Sequence, residues 1–98
     1  MPSIPTASVA DLNDSTVLLD VREPDEWAAG HAPDALHVPL GEIPDRFAEL
    51  PRDADVVVTC HLGGRSARAT AWLTEHGYAC RNLEGGMSAY GAAGLPRV

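Results

Sequence analysis

Short apolar runs alternate along the chain with segments in which apolar residues recur every three or four positions. Each run is too brief for an ordinary helix and is bounded by polar or turn-forming residues. The run at residues 54–59 is the most strand-like, because its three consecutive valines are stiff at χ1 and favour a pleated backbone. The pattern predicts strands at residues 17–21, 36–38, 54–59 and 78–83.

The segments between these runs have the spacing and the end signals of helices. Pro24 suits the first turn of one helix, Pro51 closes a second, and Gly77 supplies a left-handed stop for a third. At the front of the chain, residues 6–13 are interpreted as an edge strand and a helical turn with Ser8 as its cap. Helices are therefore predicted at residues 24–29, 43–50, 66–76 and 86–90.

Strands that alternate with helices indicate an α/β fold with a parallel sheet of about five strands and helices on both faces. In such sheets, ligands bind outside the carboxyl ends of the strands, and both Asp20 and Cys60 lie at predicted strand ends. A length of 98 residues predicts a single domain over 1–98, and the sequence motifs described below lie within about 14–96. Only the terminal three to five residues are expected to be loose.

Composition narrows the classes of partner and location. Fourteen acidic residues against seven arginines and no lysine give a net charge of −7, which disfavours nucleic acid and anionic membranes as partners. No stretch approaches the ~18 apolar residues of a membrane span, and the first residues lack the features of a signal peptide. We therefore expect a cytoplasmic protein whose two cysteines are free thiols.

The most informative feature is a cysteine at the end of the valine-rich strand, followed by a glycine-rich turn and a helix start. Backbone N–H groups at such a turn have no intrahelical partner, and the helix dipole and a nearby guanidinium favour a thiolate over a thiol. The predicted site is thus a nucleophilic thiolate at Cys60 within an anion-binding loop: His61, Leu62, Gly63, Gly64, Arg65 and Ser66. We expect the amides of this loop to point inward, with Gly63 and Gly64 allowing the necessary curl.

Three blocks of sequence resemble the rhodanese family of sulfurtransferases. The first runs from Leu19-Asp20-Val21-Arg22-Glu23 through Glu26 to Gly30-His31-Ala32-Pro33, the second is Cys60-x-x-Gly63-x-Arg65-Ser66, and the third is Leu83-Glu84-Gly85-Gly86 with Tyr90, Gly94 and Pro96 downstream. This resemblance implies a three-layer rhodanese-like fold, no cofactor, and transfer of a sulfane sulfur from a donor such as thiosulfate to cyanide or a thiol through a Cys60 persulfide.

The chain departs from the family pattern at a few positions. Asp34-Ala35 stands where the family usually has Gly-Ala, Ala32 replaces a larger aliphatic residue, and Tyr90 stands where Trp is usual. Leu62 occupies a loop position where some thiosulfate-using members carry a cation, which puts thiosulfate as the natural donor in question.

Several residues have two interpretations at this stage. Arg65 either binds an anion or bonds loop carbonyls or Asp20, and His61 faces either the site or bulk water. The supporting charges Asp20, Arg22 and Glu23 are interpreted as a structural ion-pair cluster. Cys80 is interpreted as a core residue, and the spacing of Cys60, His61, His76 and Cys80 does not fit a metal site.

Two other functions compete with small-molecule sulfur transfer. One is a partner-coupled carrier that takes persulfide sulfur from a donor protein or gives it to an acceptor protein. The other is a phosphatase or arsenate reductase of related fold, in which the loop has the form C-x5-R. Here four residues separate Cys60 from Arg65, a tighter ring that suits a single sulfur atom better than a phosphate.

Overall fold

The computed structural model describes residues 4–98 and places one five-stranded sheet at their centre. The strands are β1 (Thr6–Ala7), β2 (Thr16–Asp20), β3 (Leu36–His37), β4 (Asp55–Thr59) and β5 (Cys80–Leu83). All neighbouring strands are parallel, in the order β1-β5-β4-β2-β3. The predicted parallel sheet and its number of strands are confirmed, and the edge strand at the front of the chain is β1.

The chain forms four α-helices, three between strands and the last after β5: α1 (Pro24–Ala28), α2 (Ile43–Arg46), α3 (Gly64–Glu75) and α4 (Gly86–Ala92). The predicted helix over 43–50 is broken, because α2 ends at Arg46 and a 3₁₀ turn (Phe47–Glu49) follows. The apolar face predicted there nevertheless survives, since Ile43, Phe47 and Leu50 contribute to the same core cluster. Helix α3 begins two residues earlier than predicted, at the second loop glycine, Gly64.

The sheet is covered on both faces, and β4 shows the alternation most clearly. Val56 and Val58 pack with Ala69 and Leu73 of α3 on one face, whereas Val57 packs with Ala7 and Leu83 on the other. A third cluster, built on Ala32, Met87 and Tyr90, joins α4 to that second face. The predicted three-layer α/β fold is therefore confirmed.

The C-terminal end is tied to the rest of the molecule, so the expectation of a loose tail is wrong there. The backbone of Val98 donates to the carbonyl of His31 at 2.8 Å and accepts from the His31 N–H at 2.9 Å. The Tyr90 hydroxyl donates to the Pro96 carbonyl at 2.7 Å. At the other end, the expectation of a loose terminus falls on residues 1–3, which lie outside the described residues.

One departure from the family pattern has a backbone cause. Asp34 has a φ of 64°, the left-handed conformation that glycine adopts most easily. Asp tolerates this conformation better than most side chains, which explains how it replaces the usual glycine in this turn. Among residues 4–98, no helix has both the length and the apolar character to cross a membrane.

Candidate active site

Cys60 follows the last residue of β4 and lies where the carboxyl ends of the parallel strands meet. Its sulfur accepts hydrogen bonds from the Gly63 N–H at 3.1 Å and from the Ser66 hydroxyl at 3.3 Å. The residue is 1% exposed, so these polar donors replace water around the sulfur. The Cys60 sulfur is thus buried among hydrogen-bond donors rather than among apolar side chains alone.

The pKa of Cys60 reflects two opposing influences. Burial is the largest single influence and would raise the pKa, since it disfavours the charged form. The Ser66 hydroxyl and the backbone N–H groups of Ser66, Gly63 and Arg65 oppose burial and together hold the Cys60 pKa below the ordinary value of a thiol. The site therefore favours a thiolate, and three of the six loop amides expected to face inward contribute to this.

The backbone of the loop explains how these amides reach the sulfur. Gly63 has a φ of 115°, a conformation that side chains rarely adopt, and it forms the N-cap of α3. The Asn82 side chain donates from Nδ2 to the Gly63 carbonyl at 3.2 Å, while its buried Oδ1 finds no partner within the described part of the chain. Asn82 thus holds the Gly63 residue whose N–H bonds Cys60, a contact that the sequence did not predict.

The two glycines of the third block allow α4 to approach the loop closely. The Met87 N–H donates to the Cys60 carbonyl at 2.7 Å, and the Ser88 N–H donates to the His61 carbonyl at 3.0 Å. A Cβ on Gly86 would lie 2.4 Å from the Cys60 carbonyl oxygen, so no side chain fits there. The first turn of α4 therefore binds carbonyls of the active-site loop.

Arg65 is occupied by a carboxylate that the sequence did not identify as its partner. Its two terminal nitrogens donate to the two oxygens of Glu26 at 2.6 and 2.8 Å. The bond from Arg65 lowers the pKa of Glu26 to about 2, and the same pair raises the pKa of Arg65 above its ordinary value. The suggested bond between Arg65 and Asp20 is wrong, because the guanidinium binds Glu26 of α1 instead.

Asp20 pairs with Arg22 rather than with the loop. The Arg22 guanidinium donates to the Asp20 carboxylate at 2.8 Å and to the Gly30 carbonyl at 2.8 Å, and both side chains are buried. Because Arg22 binds both Asp20 at the end of β2 and Gly30 just after α1, it holds the two ends of this segment together. It thereby fixes the position of α1, which carries Glu26. Glu23 is not part of the pair; it precedes α1, and its backbone N–H donates to Glu26 at 3.0 Å.

His61 and Leu62 form the exposed part of the loop, and a cavity lies on each side of it. Leu62 is 68% exposed, and His61 lines one cavity of about 420 Å³ together with Arg97. The second cavity, of about 440 Å³, is lined by Arg65 and by residues of α3. Cys60 lines neither cavity; of the active-site loop, His61 lines the first and Arg65 lines the second.

Cys80 and His76 lie away from this end of the sheet, whereas His31 directly follows Gly30, whose carbonyl binds Arg22 and Arg97. Cys80 begins β5 opposite Val56, four residues before Cys60, and both cysteines are free. His76 bonds the Trp72 carbonyl, and His31 bonds the Trp27 carbonyl and stacks on the Trp27 ring. Within residues 4–98, no three potential metal-ligating side chains of His, Cys, Asp or Glu come together.

The three sequence blocks converge on this loop. The first contributes Glu26, which binds Arg65, and the second supplies the sulfur and its hydrogen-bond donors. The third supplies the N–H groups of α4 that bind the carbonyls of Cys60 and His61. Such an arrangement stabilises negative charge on a sulfur atom. Glu26 and Gly86 belong to the sequence motifs described above, whereas no motif or spacing in the sequence indicated Asn82 or Arg97 as residues near the loop.

Comparison with known proteins supports the same conclusion about the fold. Residues 6–93 match the family model of the rhodanese-like domain. A sulfurtransferase of Allochromatium vinosum is 46% identical over 92% of this chain and 84% of its own length. The putative sulfurtransferase YtwF of Bacillus subtilis is 36% identical over 89% of this chain and 84% of its own length. The crystal structure of a rhodanese-related protein from Thermoplasma volcanium covers 96% of this chain and 97% of its own, with a TM-score of 0.90 and 32% identity.

Proposed function

Because this chain belongs to the rhodanese-like domain family, we propose that Cys60 carries a sulfane sulfur as a persulfide. The two relatives described above are named a sulfurtransferase and a putative sulfurtransferase. The observation that carries the proposal is the set of donors around the sulfur, the Gly63 N–H and the Ser66 hydroxyl. A persulfide carries the same net charge as a thiolate, on an outer sulfur about 2 Å from Sγ, so the loop amides and the positive end of the α3 dipole that favour the thiolate also favour that charge.

In the first half-reaction, the Cys60 thiolate attacks the outer sulfur of thiosulfate. A new S–S bond forms to Cys60, the S–S bond of thiosulfate breaks, and sulfite leaves with the electron pair. In the second, a thiolate or cyanide attacks the terminal sulfur, which departs as a new persulfide or thiocyanate and returns the Cys60 thiolate. Because the two half-reactions share one covalent intermediate, ping-pong kinetics are expected.

Access to the sulfur requires the loop to rearrange. Cys60 is 1% exposed, whereas His61 and Leu62 beside it are exposed and a Cβ on Gly64 would meet no heavy atom within 4 Å. The exposed side chains of His61 and Leu62 are therefore the part of the wall around the sulfur that moves most readily, because hydrogen bonds from α4 hold the backbone carbonyls of Cys60 and His61. We propose that a displacement of His61 and Leu62 admits the donor, with no cofactor or metal taking part.

The experiment follows the sulfur itself. After incubation with thiosulfate, intact-protein mass spectrometry should find an increase of about 32 Da, one sulfur atom, located on Cys60 by peptide mapping. Cys60→Ser should gain no sulfur and produce no thiocyanate from cyanide, whereas Cys80→Ser, the matched control, should retain both. Equal thiocyanate production by Cys60→Ser and the parent protein would refute catalysis by Cys60.

A second candidate function is a persulfide relay with a protein donor or acceptor. The observation that favours it is Leu62, a large apolar side chain of the active-site loop that stands 68% exposed, where a partner protein would cover it. Loading from a persulfidated protein but not from thiosulfate would select this function, and Leu62→Glu should then slow loading. Measurable phosphatase turnover by the unaltered protein would instead select the phosphatase alternative.

We also propose that the protein works in the cytoplasm. Both cysteines are buried free thiols, and the chemistry requires one of them to remain reduced between turnovers. A reducing compartment maintains that state.

A further inference from the structure

Most arginines of this acidic chain are already neutralised by carboxylates. Four of the seven form ion pairs with acidic side chains: Arg22, Arg46, Arg65 and Arg81. Arg52 lies over the ring of Tyr78 at 4.6 Å. Arg68 and Arg97 have no carboxylate partner among the residues that the structure describes, and each lines one of the two cavities beside the active-site loop.

The two cavities differ in charge. The walls of the first, which we call the Arg97 cavity, include Arg22, Glu26, His61, Met87, Ser88 and Arg97. Arg22 is paired with Asp20 and Glu26 with Arg65, so Arg97 provides the uncompensated charge of that cavity. In the second cavity, Glu23 offsets Arg68, and much of the remaining wall is apolar.

Arg97 is held in place although it stands next to the last residue of the sequence. Its Nη2 donates to the Gly30 carbonyl at 3.1 Å, and the neighbouring Val98 exchanges two backbone hydrogen bonds with His31. The Gly30 carbonyl also accepts a hydrogen bond from Arg22, so Arg97 and Arg22 both bind the residue just after α1 and help to position that helix. One guanidinium nitrogen is thus engaged, and the other donors remain for a ligand.

We propose that the Arg97 cavity is a binding subsite for the anionic group of the small sulfur substrate, with Arg97 as its principal contact. Its volume of about 420 Å³ suits a small molecule, and His61 and Ser88 add hydrogen-bonding groups on the side nearest the loop. Because Arg65 is engaged with Glu26, Arg97 is the cation that remains available to an anion in this cavity. This inference rests on the proposed sulfur transfer and names where the charge of the substrate binds.

Two ligands have the required chemistry, the sulfite end of thiosulfate and the carboxylate of an acidic thiol. Steady-state kinetics separates them, because a ping-pong scheme yields one KM for the donor and one for the acceptor. The variants are Arg97→Gln and, as the matched control from the other cavity, Arg68→Gln. The acceptors are mercaptopropionate, which carries a carboxylate, and mercaptoethanol, which is neutral.

Arg97→Gln should raise the KM for the anionic ligand about tenfold with little change in kcat, the loss expected for one hydrogen bond to a charged group. Arg68→Gln should change every KM less than about twofold, and Arg97→Lys should recover part of the loss. A rise confined to thiosulfate assigns the subsite to the donor, and one confined to mercaptopropionate assigns it to the acceptor. The KM for the neutral thiol mercaptoethanol should stay the same, which excludes a general loss of structure.

An unchanged KM for both anions in Arg97→Gln, or an equal rise in Arg68→Gln, would overturn the subsite. Turnover with mercaptoethanol would still stand in that case, so the proposed sulfur transfer would survive. Absence of persulfide on Cys60 in the parent protein would instead overturn the proposed function and the subsite with it.

Discussion

The two cysteines of this chain are almost equally buried, at 1% for Cys60 and 4% for Cys80, yet their surroundings favour opposite charge states. Cys60 lies after the carboxyl end of β4 and accepts bonds from an N–H and a hydroxyl. Cys80 lies at the amino end of β5, where its sulfur faces the Thr70 carbonyl at 3.7 Å and the Thr74 hydroxyl at 3.8 Å. Burial raises the pKa of Cys80, whereas donors outweigh burial at Cys60.

This difference teaches that the kind of neighbouring dipole, and not the degree of burial, separates a nucleophile from a core residue here. At the carboxyl end of β4 the chain turns into α3, and the unpaired N–H groups of that turn face the sulfur. At the start of β5, the sulfur meets a carbonyl of α3, which repels a thiolate. Parallel pairing of β4 with β5 places the two sulfurs about 13 Å apart at ~3.3 Å per residue, too far for a disulfide.

The largest expected effect comes from Gly86→Ala, which should disturb the surroundings of Cys60 alone. The new Cβ would lie 2.4 Å from the Cys60 carbonyl and 2.7 Å from that of His61, at a φ of 53°, so the loop must move. A displacement of this kind costs activity about a hundredfold. Thiocyanate formation by the folded variant checks this.

The control for that change is Gly41→Ala, since a Cβ there would meet no heavy atom within 4 Å. It should retain activity within about twofold, as expected for a surface change away from any close contact. Wild-type turnover by Gly86→Ala, with circular dichroism showing a folded protein, would mean that α4 does not determine the loop conformation.

A smaller effect is expected from Ser66→Ala, which removes one donor from Cys60. Because that hydroxyl lowers the pKa of Cys60, its loss should raise the pKa, and the acid limb of the pH–activity profile should move to higher pH. Activity on that limb should fall by about tenfold while the alkaline plateau stays close to that of the parent, since a hydrogen bond to a charged group stabilises it by about 1.5–3 kcal/mol. Thr74→Val removes the hydroxyl beside Cys80 and should leave the profile unchanged. A shift of equal size in both variants would contradict the contrast between the two cysteines.

The smallest effect is expected from Glu26→Gln, which tests whether the pair with Arg65 stabilises the loop region. Glu26 has a folded pKa of about 2, below its ordinary 4.5, so its contribution to stability is complete above the ordinary value and is lost as the pH falls toward 2. Both side chains are about a third exposed, at 33% and 31%, which limits the effect to less than about 1 kcal/mol.

Urea unfolding at pH 6 and at pH 3 measures this difference in the free energy of unfolding between Glu26→Gln and the parent. The difference should be larger at pH 6 than at pH 3. Glu84→Gln removes the same charge from an exposed residue outside the five ion pairs and serves as control. An equal loss at both values of pH would contradict the assignment of that stability to the Glu26 carboxylate.

The sequence was sufficient to predict the strands, the parallel sheet and the position of Cys60, because these depend on local periodicity and on turn residues. It was insufficient for partners distant in the chain. Arg65 pairs with Glu26, 39 residues away, and Asn82 bonds Gly63, 19 residues away, contacts that only the folded sheet brings together. The helix over 43–50 was predicted as continuous because its apolar face is continuous, although the backbone beneath that face changes type after Arg46.

Both outer strands of the sheet, β1 and β3, are only two residues long. Each outer edge therefore presents very few unpaired peptide groups to a strand from another chain. A sheet with such short edge strands resists edge-to-edge polymerisation. The domain can therefore be joined to other folded units without exchanging strands with them. The brevity of Thr6–Ala7 and Leu36–His37 thus protects at high concentration a sheet whose inner strands β2 and β4 are among the most apolar segments of the chain.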